Sequence, residues 1–286
     1  MFALLTRIWY DIRDDNTLRN RAVLEEKRNF KSRDSAKETA MHRFYTEPDR
    51  ISTDKATITG SDVNHIKNVL RMQPGEEIII CNGQGKDCYC IISRVSEAEI
   101  TADIKQIKSS ESELRTRITL FQGLPKKDKM ELIIQKAVEL GVYEIVPVMT
   151  KRVIVKLEDK KKEEKKLERW QAIAEGAAKQ SGRGMIPRIL PVLSFREAVN
   201  KAAALELSII PYENARGMQF TKELMGSLGK YNSIGVFIGP EGGFEEAEIE
   251  LAKEHRIVPI TLGSRILRTE TAGLVTLSMM LLALEE

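Results

Sequence analysis

The chain has 286 residues, enough for about two domains at roughly 150 residues each. Hydrophobic residues make up 42%, or about 48% with glycine, which excludes disorder, collagen and coiled coil as descriptions of the whole chain. Charge is dense but nearly balanced, 45 basic against 42 acidic residues. The net +3 does not by itself predict a nucleic-acid partner, so any basic surface must come from local segregation.

Residues 1–40 carry 9 Lys/Arg and 7 Asp/Glu. The acids argue against a mitochondrial transit peptide, and Arg7 interrupts what would be a secretory apolar stretch. The segment reads as an extension outside the core, with the folded chain beginning at Met41. From there to about residue 108 the texture is that of short strands, over 56–59, 77–81, 88–95 and 99–107, with a tight turn at Asn82-Gly83. Between the first two strands, residues 61–72 predict a helix: Ser61 can cap it, and Val63, Ile66, Val69 and Leu70 recur at helical spacing. A small β-barrel with one inserted helix fits this pattern. The polar stretch 108–113 reads as a linker, giving an extension over 1–40, a barrel over 41–112 and a second domain over 113–286.

In the second domain, strands expected over 118–124, 144–148, 207–211, 234–239 and 257–262 alternate with helices over 128–140, 160–181, 194–205, 245–255 and 270–284. Ser194 and Glu197 form a capping box. Such alternation predicts an α/β domain on a largely parallel sheet, with ligands at the carboxyl ends of the strands. The charge run 151–169 mixes signs at helical spacing and reads mainly as a solvated helix face, although Lys151-Arg152 could also meet phosphates. The apolar run 272–284 is about 13 residues, short of the roughly 20 that span a membrane, and reads as a buried helix.

Several chemistries lack machinery. Cys81, Cys88 and Cys90 have no histidine nearby in sequence and miss zinc-site spacing, so reduced buried thiols and no metal are expected. There is no Walker A lysine, no dinucleotide glycine fingerprint, no nucleophile elbow and no H-E-x-x-H, and His42, His65 and His255 are scattered.

Two loops carry the chemistry. In Ile238-Gly239-Pro240-Glu241-Gly242-Gly243 the glycines allow close backbone approach or positive φ, and Pro240 stiffens the turn. Glu241, Glu245 and Glu246 would repel a phosphate at the following helix start, so a nucleoside or a cationic ligand suits this loop better. The second loop runs from Leu262-Gly263 to Ala272. Thr269 is expected to cap the last helix, and Ile266 and Leu267 would offer an apolar slot with free backbone polar groups for an adenine ring.

With these two loops, and with His42-Arg43-Phe44-Tyr45, Val69-Leu70-Arg71, Gln135 to Gly141 and Gln180-Ser181-Gly182-Arg183, the chain from Met41 to Glu286 resembles the ribosomal RNA small subunit methyltransferase E family. The resemblance implies an α/β fold with a C-terminal SPOUT-type trefoil-knot domain and a smaller N-terminal PUA-like barrel. It also implies a cytoplasmic homodimer, no membrane contact, S-adenosylmethionine as cofactor, and methylation of a uridine N3 in 16S rRNA of the small subunit. Carried over by position, the cofactor pocket comprises Pro211, Tyr212, Ile238, Gly239, Pro240, Gly242, Leu262, Gly263, Ile266, Leu267, Thr269 and Ala272. N3 of uracil is mostly protonated at neutral pH, so the site needs help in removing that proton. Arg268 is expected to stabilise the developing charge, and Glu241 or Glu270 to handle the proton or orient the cofactor. Arg43, Arg71, Arg152 and Arg183 are the expected RNA contacts. Two other readings stand beside this one: a different SPOUT methylation such as ribose 2'-O, and a non-catalytic ribosome-binding factor.

Overall fold

The computed structural model describes residues 41–153, 160–215 and 217–285, so the expected leader over 1–40 lies outside the described residues. Two sheets organise the chain. The first has the order β1-β3-β4-β5-β2, from β1 (His42–Tyr45), β2 (Lys55–Thr59), β3 (Glu77–Cys81), β4 (Lys86–Val95) and β5 (Glu99–Ser109). Its inward Ile and Val residues pack around Phe44, Ile58, Ile66, Ile78, Ile80, Ile92 and Ile100. Just beyond β1, the Thr46 hydroxyl donates to the Thr57 carbonyl on β2 at 2.7 Å, so the sheet curls until its two edge strands meet. β1 was not expected from sequence; it pairs parallel with β3, a partner remote in the chain.

Two local expectations fail here. Gly60, not Ser61, is the residue before helix α1 (Ser61–Asn64), and no side chain caps it. The helix then widens into a π-turn over His65–Val69, with the Leu70 N–H reaching the His65 carbonyl at 2.9 Å. The wider turn rotates Val69 off the buried face, leaving it 65% exposed although Val63 and Ile66 are buried.

The second sheet is parallel throughout, in the order β12-β10-β11-β6-β7-β8. Its long strands are β6 (Arg117–Gly123), β7 (Glu144–Met149), β10 (Leu207–Pro211), β11 (Ser233–Ile238) and β12 (Ile257–Ile260). The short β8 (Arg188–Ile189) and β9 (Leu193–Ser194) both pair with β7. Helices α2 (Lys129–Glu139), α3 (Lys160–Gln180), α4 (Phe195–Ala202), α5 (Met218–Met225), α6 (Glu246–Glu254) and α7 (Thr269–Leu284) supply apolar residues to two cores. The Ser194 capping box forms as expected, whereas α5, β8 and β9 carry too little periodicity to be anticipated. The chain runs from β6 to β7 on one side and returns to β10 and β11 on the other. The carboxyl ends of β6, β11 and β10 therefore sit at a topological switch point, where a parallel sheet opens a crevice.

The stretch read as a linker is instead a packed joint. Lys108 and Ser109 complete β5, and Ser110 is buried. The β3–β4 turn pairs with the chain after α3: the Gly85 N–H reaches the Gly184 carbonyl at 2.9 Å, and the Ile186 N–H reaches the Gly83 carbonyl at 3.0 Å. A Cβ on Gly184 would lie 2.2 Å from that of Ser110, so only glycine permits this approach. Among the described residues no helix is long and apolar enough to cross a membrane, and no metal-ligating side chains cluster.

Candidate active site

At the switch point a cavity of about 500 Å³ opens, within the roughly 300–1,000 Å³ usual for small-molecule sites. The loops after β10, β11 and β12 build it, together with the first turn of α2, Arg152 and the start of α7. A smaller cavity of about 240 Å³ adjoins it along Pro211, Tyr212, Ile266, Leu267 and Ala272. Every residue expected in the cofactor pocket lies on these two walls. Leu262 and Gly263 line only the smaller cavity, while Ile238, Gly239, Pro240, Gly242 and Thr269 line only the larger.

The glycines act mainly through close approach. A Cβ on Gly239 would press to 3.2 Å against the Phe244 ring, and one on Gly123, at the end of β6, would come within 2.6 Å of Pro240 Cδ. Backbone thus packs on backbone, and the Gly239 carbonyl comes into reach of α7. Thr269 is not the cap of α7: Arg268 occupies that position, with extended backbone at φ −67° and ψ 156°. The Thr269 hydroxyl instead donates to the Gly239 carbonyl at 2.6 Å and accepts from Gln122 Nε2 at 2.9 Å. A single buried hydroxyl therefore joins the central strand β6, the loop after β11 and α7.

Lys129 organises the acidic side. Its Nζ lies 3.1 Å from Glu241 Oε1 and 3.2 Å from Glu270 Oε2, and both Glu241 oxygens accept from the Lys126 N–H at 3.2 Å. Burial pushes the Glu241 carboxyl up, but backbone N–H groups and the Lys129 ammonium outweigh it and hold the carboxyl below its ordinary range. The two carboxylates raise Lys129 in turn. Glu241 is therefore anionic at neutral pH. Glu270 pairs with Lys129, so it does not neutralise Arg268. The Arg268 side chain lines the cavity, is exposed, and makes no hydrogen bond or ion pair to a described residue.

The expected RNA contacts divide. Arg71 is exposed, with a left-handed φ of 57° after the π-turn. Arg152 is exposed but donates to the Gly242 carbonyl at 2.8 Å, which places it on the cavity wall. Arg43 forms a two-pronged pair with Asp87 at 2.9 and 3.0 Å and also donates to Cys81 Sγ. Arg183 is only 4% exposed; it pairs with Glu113 at 2.5 Å and donates to the Val142 carbonyl at 2.7 Å. The Arg183 guanidinium is thus used up inside the protein and is not available to a phosphate, a correction to the sequence expectation. Lys129, Glu213, Phe244 and Gln122 were missed. The only sequence signals for them were the dense 126–129 cluster of lysines and aspartate after a strand, and a glutamine inside an apolar one.

The chain matches the model of an RNA methyltransferase domain over residues 112–281 and of an RNA methyltransferase PUA domain over residues 58–105. It is 38% identical to the Bacillus subtilis ribosomal RNA small subunit methyltransferase E over 83% of this chain and 95% of that protein. The protein belongs to this methyltransferase E family. The family member from Mesomycoplasma hyopneumoniae is 33% identical, over 83% of this chain and 98% of its own. Among solved structures, the methyltransferase E from Neisseria gonorrhoeae bound to S-adenosyl methionine superposes with a TM-score of 0.71 at 35% identity, over 84% of this chain and 96% of that one. A Legionella pneumophila methyltransferase with bound SAM gives 0.70 at 32%, over 85% and 98%.

Proposed function

We propose that this methyltransferase E family member uses S-adenosylmethionine to methylate N3 of a uridine in 16S rRNA of the small ribosomal subunit. The observation that carries the reading is the division of charge around one cavity. Lys129-clamped Glu241 and Glu270 lie on one side and Arg268, with no partner among the described residues, on another. The cofactor fits the residues present. Glycine-permitted backbone approach and the Ile266–Leu267 wall suit a nucleoside, and an anionic Glu241 beside the cavity attracts a sulfonium or an ammonium where it would repel a phosphate. When bound, the cofactor supplies an electrophilic methyl group.

The chain's own residues then have separable tasks. Thr269 and Gln122 fix the floor, and Lys129 holds both carboxylates in place. Arg268 stabilises the negative charge that develops on the uracil carbonyls as N3 loses its proton. The depressed Glu241 is a weak proton acceptor, which favours cofactor orientation as its role and water as the acceptor of the N3 proton.

The family resemblance also implies a homodimer in the cytoplasm. Helix α7 supports the dimer: it is mostly apolar with no separate polar face, yet Leu282 is 84% exposed and Leu274 and Val275 are only partly covered, and Ile266 at the cavity mouth is 90% exposed.

The test is calorimetric titration of SAM and of its demethylated product, followed by methyl transfer to undermodified small subunits and mapping of the modified base. N3-methyluridine is the expected product. A ribose-methylated nucleoside after digestion would move the protein to another SPOUT reaction. RNA affinity without SAM affinity in a folded protein would make it a binding factor.

A further inference from the structure

The loop between β6 and α2 has two faces, and the cofactor site accounts for only one. Leu124 and Pro125 anchor it inside the protein, with the Leu124 N–H on the Val148 carbonyl at 3.0 Å. The Lys126 N–H and the Lys129 ammonium face inward onto Glu241 and Glu270. The side chains of Lys126 and Lys127 are exposed and make no hydrogen bond or ion pair to a described residue. Lys127 is also held at φ +56°, a left-handed conformation that glycine adopts freely and a lysine adopts only against steric cost. No described residue uses the side chain for which that cost is accepted, which leaves it open to a ligand.

The position of the loop indicates what it meets. The loop clamps Glu241, so it borders the cavity mouth, and the exposed Arg152 and Arg268 line the same cavity. A polynucleotide presenting one base to a cavity walled by carboxylates must have its flanking phosphates held away from them, and cations at the rim do this.

We infer that Lys126 and Lys127 are phosphate contacts for the substrate RNA, displayed by the same loop whose backbone holds the cofactor-side carboxylate. This inference rests on the RNA methyltransferase reading of the site and adds residues on the catalytic domain to the RNA surface.

The test uses the full-length protein with undermodified small subunits, measuring transfer and subunit binding over a salt series, SAM affinity by calorimetry, and melting temperature. Lys127→Gly removes the side chain and the backbone cost together. It should raise KM for subunits about fivefold and flatten the salt slope by about 0.7–0.9, one phosphate contact, while SAM affinity stays within about twofold and the melting temperature is equal or higher. Lys127→Arg should restore the slope. The Lys126→Ala/Lys127→Gly double variant should lose about two contacts.

An unchanged KM and slope in the double variant overturns the inference. So does SAM affinity falling in step with activity, which would mean the loop acts through Glu241, and so does a lower melting temperature in Lys127→Gly. If wild-type protein binds subunits without methylating them, the reaction assignment fails while the slopes still decide the contacts. If it has no affinity for subunits, both fail.

Discussion

Arginines at the joint between the two sheets and arginines at the cavity rim are the same residue in opposite circumstances. At the joint, Arg183 is sealed between Glu113 and the carbonyls of Val138 and Val142, and Arg43 is locked onto the buried Asp87. At the rim, Arg152 spends one hydrogen bond on a carbonyl and Arg268 spends none on a described residue. A guanidinium whose donors are satisfied internally fixes the fold, and one whose donors are open is available to a ligand. Desolvation separates the two cases: a buried charge is tolerated only with partners, and those partners leave it nothing for RNA.

The comparison breaks most easily at the joint. Arg183→Ala leaves the largely buried Glu113 carboxylate with backbone N–H donors but no cation and should cost about 3–5 kcal/mol, seen as a large fall in melting temperature. Loss of RNA affinity in a variant of unchanged stability would refute the structural role. Arg268→Ala should do the reverse. A rate loss of about 10²–10³ is expected with the melting temperature and most SAM affinity retained, and loss of SAM affinity instead would assign Arg268 to the cofactor.

A smaller effect tests the floor between these regions. Thr269→Val keeps the shape but removes the bridge from Gln122 to Gly239, costing about 1–3 kcal/mol and weakening SAM, read by calorimetry and melting.

The smallest effect is the pH behaviour of the clamp. Glu241 is held below its ordinary 4.5 in the folded protein, so its contribution is fully present above that value and is lost as pH falls through the lowered one. Lys129 is raised above its ordinary 10.5, so its contribution is present below that value and is lost at higher pH, as pH rises through the raised one. The stability difference between wild type and Glu241→Gln, small for so accessible a pair, should therefore be flat from about pH 6 to pH 9 and shrink in acid. A midpoint near neutrality in that difference would contradict the clamp.

Much of the architecture follows from local pattern. Short runs rich in Ile and Val marked β3, β4, β5 and the long parallel strands, and the Ser194 box located α4. What failed depended on distant partners: β1 exists because β3 offers it an edge, Lys108 and Ser109 pair with β4, and Glu113 meets Arg183. The helix over 61–72 failed because one extra residue in a turn changes which side chains face inward, and spacing alone does not record that.

The site divides in the same way. Gly239 to Gly243 and Leu262 to Ala272 were legible as a nucleoside-type pocket because glycine, proline and acids at a strand end restrict what can bind there. The sequence by itself determined the fold class, the two loops and a cationic or nucleoside ligand, because these follow from backbone freedom and charge over a few adjacent residues. Only the tertiary structure decided that Thr269 bridges strand and loop rather than capping its helix, that Lys129 and not Arg268 neutralises Glu270, and that Arg183 is a joint. Each of these depends on which side chain meets a given charge or donor across a fold, and that choice is made by packing between residues far apart in the chain.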